Sequence, residues 1–122
     1  MKIKILYVED EVLNRKLFEL HFSRKYEVYI AEDGLQGLDV LDSHKDIFVI
    51  ISDMKMPGMN GLEFIKKAKE SYPLKKYFIL TGFEISQEIE QALDSGLILK
   101  YFSKPFNAKE IESVIDSVIA NQ

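Results

Sequence analysis

Phe48-Val49-Ile50-Ile51-Ser52-Asp53-Met54-Lys55-Met56-Pro57-Gly58-Met59-Asn60-Gly61 decides the reading of this chain. An apolar run, Ile47 to Ile51, stops at one carboxylate, Asp53, and a turn rich in Pro and Gly then leads into a helical pattern. Short apolar runs bounded by turn signals read as buried strands, so Asp53 is expected at a strand's C-terminal end. In open α/β sheets that edge is where ligands bind. A carboxylate fixed there, at the mouth of a loop, can serve as a metal ligand or a nucleophile. Taken alone, the same residue could simply cap the next element, and the rest of the chain decides between the two.

Upstream, Lys2 to Val8 is β-rich and ends at Glu9-Asp10-Glu11, after which Leu13, Leu17, Leu20 and Arg24 share a helical face. Tyr26 to Ala31 returns to strand character, and Asp33 with Gln36 has the form of an N-cap opening a short helix to about Ser43. The central strand covers Ile47 to Ser52. Asn60-Gly61-Leu62-Glu63 again looks like a capped helix start, with Leu62, Ile65, Ala68 and Tyr72 on one face and Pro73 as the stop. Tyr77 to Leu80 is a strand ending at Thr81-Gly82. Ser86 caps a helix carrying Ile89, Ala92 and Leu93, stopped at Gly96. Leu97 to Phe102 is the fifth strand, closed by Ser103-Lys104-Pro105-Phe106, and Asn107 caps a last helix with Ile111, Val114, Ile115 and Val118 on one face. Five strands alternating with five helices predict an α/β fold: a doubly wound parallel sheet covered by helices on both faces.

At 122 residues the chain has the length of one domain, taken as residues 1–122. Apolar residues at 47% and charged residues at 30% place it with globular rather than disordered chains. Cysteine is absent, which removes disulfides and thiolate chemistry. A net charge of −4 gives no basic footprint for nucleic acid, and no apolar run approaches membrane length. The N-terminal apolar stretch meets acidic residues early and offers no cleavage site, so a cytoplasmic location is expected.

In a parallel sheet the strand ends lie along one edge. Glu9-Asp10, Asp53, Thr81 and Lys104 are therefore expected to converge, bringing three carboxylates, one hydroxyl and one ammonium together. The grouping suits phosphate chemistry. Three close acids repel and resist joint ionisation, which a hard divalent cation relieves. Oxygen ligands without His or Cys favour Mg²⁺ over Zn²⁺. Lys104 offers a compact charge for phosphate, Thr81 a hydroxyl, and Gly82 room for close approach. Asp53 is the natural nucleophile, since carboxylates form covalent aspartyl phosphates.

With these residues in view, the chain resembles the receiver domain of bacterial two-component response regulators, the CheY-like proteins. The resemblance rests on Val8-Glu9-Asp10-Glu11, on Ser52 to Gly61, on Thr81-Gly82 and on Lys104-Pro105-Phe106, and it covers the whole chain. It implies a flavodoxin-like sheet in the order 2-1-3-4-5. It implies that Asp53 accepts a phosphoryl group from the phosphohistidine of a sensor histidine kinase or histidine phosphotransfer protein, so the chain is a phosphoacceptor rather than an enzyme. Asp10, Asp53 and the backbone carbonyl of Lys55 would ligate Mg²⁺, with Glu9 acting largely through water. Lys104 would contact the phosphate, Thr81 would swing toward it, and Tyr101 would rotate inward. Phosphorylation adds roughly −1.5 to −2 charge and three acceptor oxygens, and contacts from Lys104 and Thr81 made only in that state would shift the population. The output face, near Lys100, Tyr101 and Phe102, would engage a downstream effector protein or output domain, from a monomer or a weak phosphorylation-dependent dimer. Whether the chain stands alone or belongs to a longer regulator is left open by the sequence.

The first acid is Glu9 where the family often has Asp, and Gly96 stands five residues before Tyr101 where four are common. Phe83 and Lys55 occupy flanking positions that vary in the family and tune phosphate lifetime. His21 and His44 lack a second ligand at metal spacing, the three loop methionines read as packing, and Lys66-Lys67 and Lys75-Lys76 read as solvated surface. Two rival functions have their own signatures. A phosphate-independent interaction module of the same fold does not need the acids, Thr81 and Lys104. A Mg²⁺-dependent aspartyl-phosphate phosphatase would resemble Asp-x-Asp at the nucleophile, and position 55 is Lys. A P-loop enzyme is excluded by the missing Gly-Lys-Ser/Thr loop.

Overall fold

The computed structural model describes residues 2–82 and 85–121. Among them, β1 (Lys4–Val8), β2 (Glu27–Ala31), β3 (Val49–Asp53), β4 (Lys76–Thr81) and β5 (Lys100–Ser103) alternate with α1 (Val12–Phe22), α2 (Gly34–Ser43), α3 (Gly61–Ser71), α4 (Gln87–Asp94) and α5 (Ala108–Ala120). The strands form one parallel sheet in the order β2-β1-β3-β4-β5, the flavodoxin-like arrangement expected.

All five residues of β3 are buried, which a central parallel strand covered on both faces requires. Alternation along the strands divides the core. Leu6, Val8, Ile50 and Ile79 meet Leu41 of α2, Phe64 and Ile65 of α3 and Ile89 of α4. Ile5, Tyr7, Ile51 and Phe78 meet Phe18 and Phe22 of α1 and Ile111 and Ile115 of α5. The expected caps form: Asp33 accepts from the Gln36 N–H, Ser86 from Ile89 and Asn107 from Glu110, while Asn60 and Glu63 make a reciprocal box. Each such cap contributes about 1 kcal/mol and fixes where its helix leaves the strand edge.

The register aligns that edge. Val8 lies opposite Ser52, Asp53 opposite Leu80, and Thr81 opposite Ser103. The C-terminal ends of β1, β3, β4 and β5 therefore finish side by side.

Three expectations are corrected. The face of α1 that packs on the sheet is Arg15, Phe18 and Phe22, whereas Leu13 is 67% and Leu20 77% exposed, and Arg24 falls beyond the helix. Two stripes compete on this helix, and burying two aromatic rings outweighs burying leucines. The fifth strand starts at Lys100 rather than Leu97. Gly96, at φ 79°, ends the α4 turn, and a connector follows in which the Ile98 N–H bonds to Ala92 O (3.2 Å) and the Leu99 N–H to Tyr77 O (2.9 Å). The extra residue before Tyr101 is taken up there, with Ile98 buried and Leu99 exposed. Phe102, expected near an output face, is not at the surface: strand alternation turns it inward, stacked on Phe78 at 5.6 Å. Other strand ends shift by a residue or two.

Candidate functional site

Asp53 is the last residue of β3 and is 6% exposed. Its backbone is locked on the loop side. The Ser52 hydroxyl donates to the Asp53 carbonyl (2.9 Å), the Met54 N–H bonds to Leu80 O (3.1 Å), and the Gly61 N–H returns to Met54 O (2.9 Å). A Cβ on Gly61 would lie 2.3 Å from the Asp53 carbonyl oxygen, so only glycine lets α3 start this close to the acid.

Glu9, just past β1, is fully buried and surrounded by donors. Its Oε1 accepts from Lys104 Nζ (2.9 Å), the Tyr7 hydroxyl (3.0 Å) and Asn14 Nδ2 (3.3 Å), and its Oε2 accepts from the Glu11 N–H (3.2 Å). Arg15 braces the same turn, donating to the Glu9 carbonyl at 2.8 Å and pairing with Glu32 at 3.8 Å. Asp10 is exposed, and carboxylate oxygens of Glu9, Asp10 and Asp53 lie within 4.8 Å of one another. Lys104 Nζ completes the cluster 2.9 Å from Asp53 Oδ1. The Lys104 N–H bonds to Thr81 O at 2.8 Å, and the Lys104–Pro105 peptide is cis.

The electrostatics follow from this crowding. Burial, with repulsion from Glu9 and Asp10, pushes the Asp53 carboxyl up to about 6 against the pull of Lys104. Burial and the neighbouring Glu9 also raise Asp10. Burial would raise Glu9, yet the Lys104 ammonium and the Glu11 N–H hold it below the ordinary carboxylate range. Lys104 is held above the usual lysine value because its bonds to Glu9 and Asp53 outweigh the cost of burial. Three carboxylates facing one ammonium leave excess negative charge, and their all-oxygen donor set fits a hard divalent cation.

The other expected residues are arranged around this centre. Thr81, the buried last residue of β4, lines a hollow with Met54, Lys55, Asn60 and Ser86. Lys55 is exposed in the loop after β3. Gly82 is exposed, and among the described residues a methyl there would meet only Lys104 carbons at 3.7 Å, so close approach to them does not demand glycine. Tyr101 lies within β5 opposite Ile79, half-buried against the α3 and α4 side of the core and apart from the acids. Phe83 lies outside the described residues. Met54, Met56 and Met59 pack against the core. Sequence reading missed Tyr7, Asn14, Arg15 and Glu32. The available signal was spacing: Tyr7 stands two residues before Glu9, which directly follows the end of β1.

Known proteins agree with this architecture. The chain belongs to the response regulator receiver domain family, whose model matches residues 5–116. It is 33% identical over 116 residues to sporulation initiation phosphotransferase F of Bacillus subtilis, covering 94% of this chain and 92% of that one. It is 31% identical over 121 residues to the chemotaxis protein CheY homolog of Campylobacter jejuni, covering 96% and 92%. Among solved structures, chemotaxis protein CheY4 of Vibrio cholerae superposes with a TM-score of 0.87 at 30% identity, covering 97% of this chain and 99% of that one. Proteins of this family are generally phosphoacceptors that work with histidine kinases and downstream effectors. No described helix is long and apolar enough to cross a membrane.

Proposed function

We propose that this receiver domain takes up a phosphoryl group on Asp53 from the phosphohistidine of a partner kinase or phosphotransfer protein. The observation that carries the reading is the position of Lys104, bonded at once to Glu9 and to Asp53 beside an exposed Asp10. An Asp53 carboxylate oxygen attacks phosphorus, the donor's P–N bond breaks, and the imidazole leaves with the electron pair and takes a proton. Such a transfer needs alignment and charge stabilisation more than covalent help. Asp53 is suited to it: with its pKa at about 6 it is largely ionised at neutral pH, yet more basic than a free carboxylate.

Asp10, Asp53 and the Lys55 carbonyl would hold Mg²⁺, with Glu9 contributing through water, and the ion would supply charge neutralisation for the phosphoryl oxygens. Lys104 would turn from Glu9 toward the new phosphoryl oxygens, and Thr81 would donate its hydroxyl to them. A full switch from 1:99 to 99:1 takes about 5.5 kcal/mol, and one charge-assisted bond of about 1.5–3 kcal/mol plus a hydroxyl bond approaches that. Tyr101, half-buried three residues before Lys104, would rotate inward and pass the change to Lys100 and Leu99 at the surface. Leu17 of α1, 39% exposed, lines the same hollow as Lys104, which supports docking of an apolar donor helix on that side.

Acetyl phosphate with and without Mg²⁺ tests the reading. Intact mass spectrometry is expected to find one added phosphoryl group on the wild type with Mg²⁺ and none on Asp53→Asn. Equal labelling of the two would overturn it, and an unlabelled wild type would favour a phosphate-independent interaction module.

A further inference from the structure

We infer that Tyr7 is a positioning residue for the acceptor site, and that its hydroxyl is what lets a glutamate work at position 9. The proposal rests on Asp53 as phosphoacceptor and goes beyond it.

The geometry is specific. Glu9 is one methylene longer than an aspartate and carries one more rotatable bond. A carboxylate with that freedom has to be held in place here, because one oxygen of each of Glu9, Asp10 and Asp53 lies within 4.8 Å of the others. Glu9 Oε1 is held by the Tyr7 hydroxyl at 3.0 Å and by Lys104 Nζ at 2.9 Å. Tyr7 lies on β1 and faces the α1 and α5 side of the sheet, and Glu9, one residue past the strand's end, is close enough for its carboxylate to meet the phenol. The phenol cannot wander, because its ring stacks on Phe18 with centroids 4.1 Å apart and planes at 15°. A fixed ring thus fixes the hydroxyl, the hydroxyl fixes Oε1, and Oε1 holds the ammonium within reach of Asp53. An aspartate at position 9 would end roughly 1.5 Å short, beyond hydrogen-bond range of the phenol. Tyr7 therefore has this task only where residue 9 is Glu.

That dependence gives the experiment. Tyr7→Phe keeps the stacked ring and removes only the hydroxyl. Loss of an outer partner of a metal-site ligand typically weakens function about tenfold or more. Acetyl phosphate labelling at limiting Mg²⁺ is expected to slow about tenfold in Tyr7→Phe. Glu9→Asp and the double variant Tyr7→Phe/Glu9→Asp should label at the same rate as each other, within about twofold, because the bond is already lost in both. A second readout does not use labelling: the Lys104 ammonium resonance in ¹⁵N NMR, protected in the wild type, should broaden through faster solvent exchange in Tyr7→Phe. If the wild type labels and Tyr7→Phe matches it in rate and in the Lys104 signal, the role of Tyr7 is overturned while Asp53 stands. If Tyr7→Phe loses the same factor in the Glu9→Asp background, the hydroxyl acts only on packing and the inference is equally overturned. A wild type that does not label refutes the acceptor role and the positioning role that depends on it.

Discussion

Lys104 Nζ lies 2.9 Å from Asp53 Oδ1 although β4 separates the strands that deliver the two residues. The lysine side chain spans the neighbouring strand to reach the acid, and on the way it also satisfies the buried Glu9. The proposed acceptor is thus already engaged by the cation that is proposed to hold phosphate. Its resting state is a charge balance centred on one side chain.

Removing that cation should be costly. Lys104→Met leaves Glu9 fully buried with only the neutral donors Tyr7, Asn14 and Glu11 N–H. Breaking a buried pair from one side costs about 3 kcal/mol or more, reduced here to about 2 because the ammonium is partly exposed. Urea unfolding of Mg²⁺-free protein should register that loss. The pH midpoint for labelling of Asp53 should also move up, since Lys104 is what restrains its pKa.

Asp53→Asn should do the opposite to stability. The folded pKa of about 6 stands above the unfolded value near 3.9. As pH rises the unfolded chain releases this proton first, so the native state loses stability between about pH 4 and pH 6. Above pH 6 the full penalty, about 2–3 kcal/mol, is present. Asn carries no such penalty. Calorimetry without Mg²⁺ at pH 7.5 should give a higher Tm for Asp53→Asn than for the wild type, and the gap should close near pH 4.

Gly61→Ala should damage fold and site together. Its Cβ would meet the Asp53 carbonyl oxygen at 2.3 Å and Ile79 Cδ1 at 2.9 Å, and the first of these is backbone that cannot swing away. Overpacking of this kind costs about 1–3 kcal/mol or more. Denaturant midpoints should fall accordingly, with slower labelling because the strand end must shift. Gly82→Ala, which among the described residues meets only Lys104 carbons at 3.7 Å, should fold normally.

On α1 the two faces should separate cleanly. Phe18→Ala empties a fully buried site stacked on Tyr7 and should cost about 3–5 kcal/mol. Leu20→Ser, at a position 77% exposed, should stay within about 0.5 kcal/mol. Leu17→Ser, at the α1 position that lines the Lys104 hollow, should slow transfer from a cognate phosphohistidine protein and leave acetyl phosphate labelling untouched.

That helix also marks where sequence reading stops. The Ile47–Ile51 run, the four capping residues and the ends of β1, β3, β4 and β5 were legible because local chemistry and global topology agree there. In α1 they do not. Leu13, Leu17 and Leu20 make a regular apolar stripe, and Arg15 looks like surface, yet its guanidinium is needed inside to satisfy the Glu9 carbonyl. Only the tertiary partner reveals that. The same holds for Tyr7, which in sequence is one more core aromatic on a strand; its hydroxyl acquires meaning once Glu9 is seen to bend toward it. The start of β5 was misplaced because Leu97-Ile98-Leu99 is strand-like in composition, while the turn at Gly96 spends those residues on reaching the sheet.

Borohydride trapping tests the central claim most directly. An acyl phosphate on an aspartate is reduced to homoserine, which tandem mass spectrometry locates by residue. After transfer from a phosphohistidine donor in Mg²⁺, homoserine is expected at position 53 and at no other carboxylate. Homoserine at Asp10 or Glu9, or an unmodified position 53 in a protein that has taken up phosphate, would contradict the account.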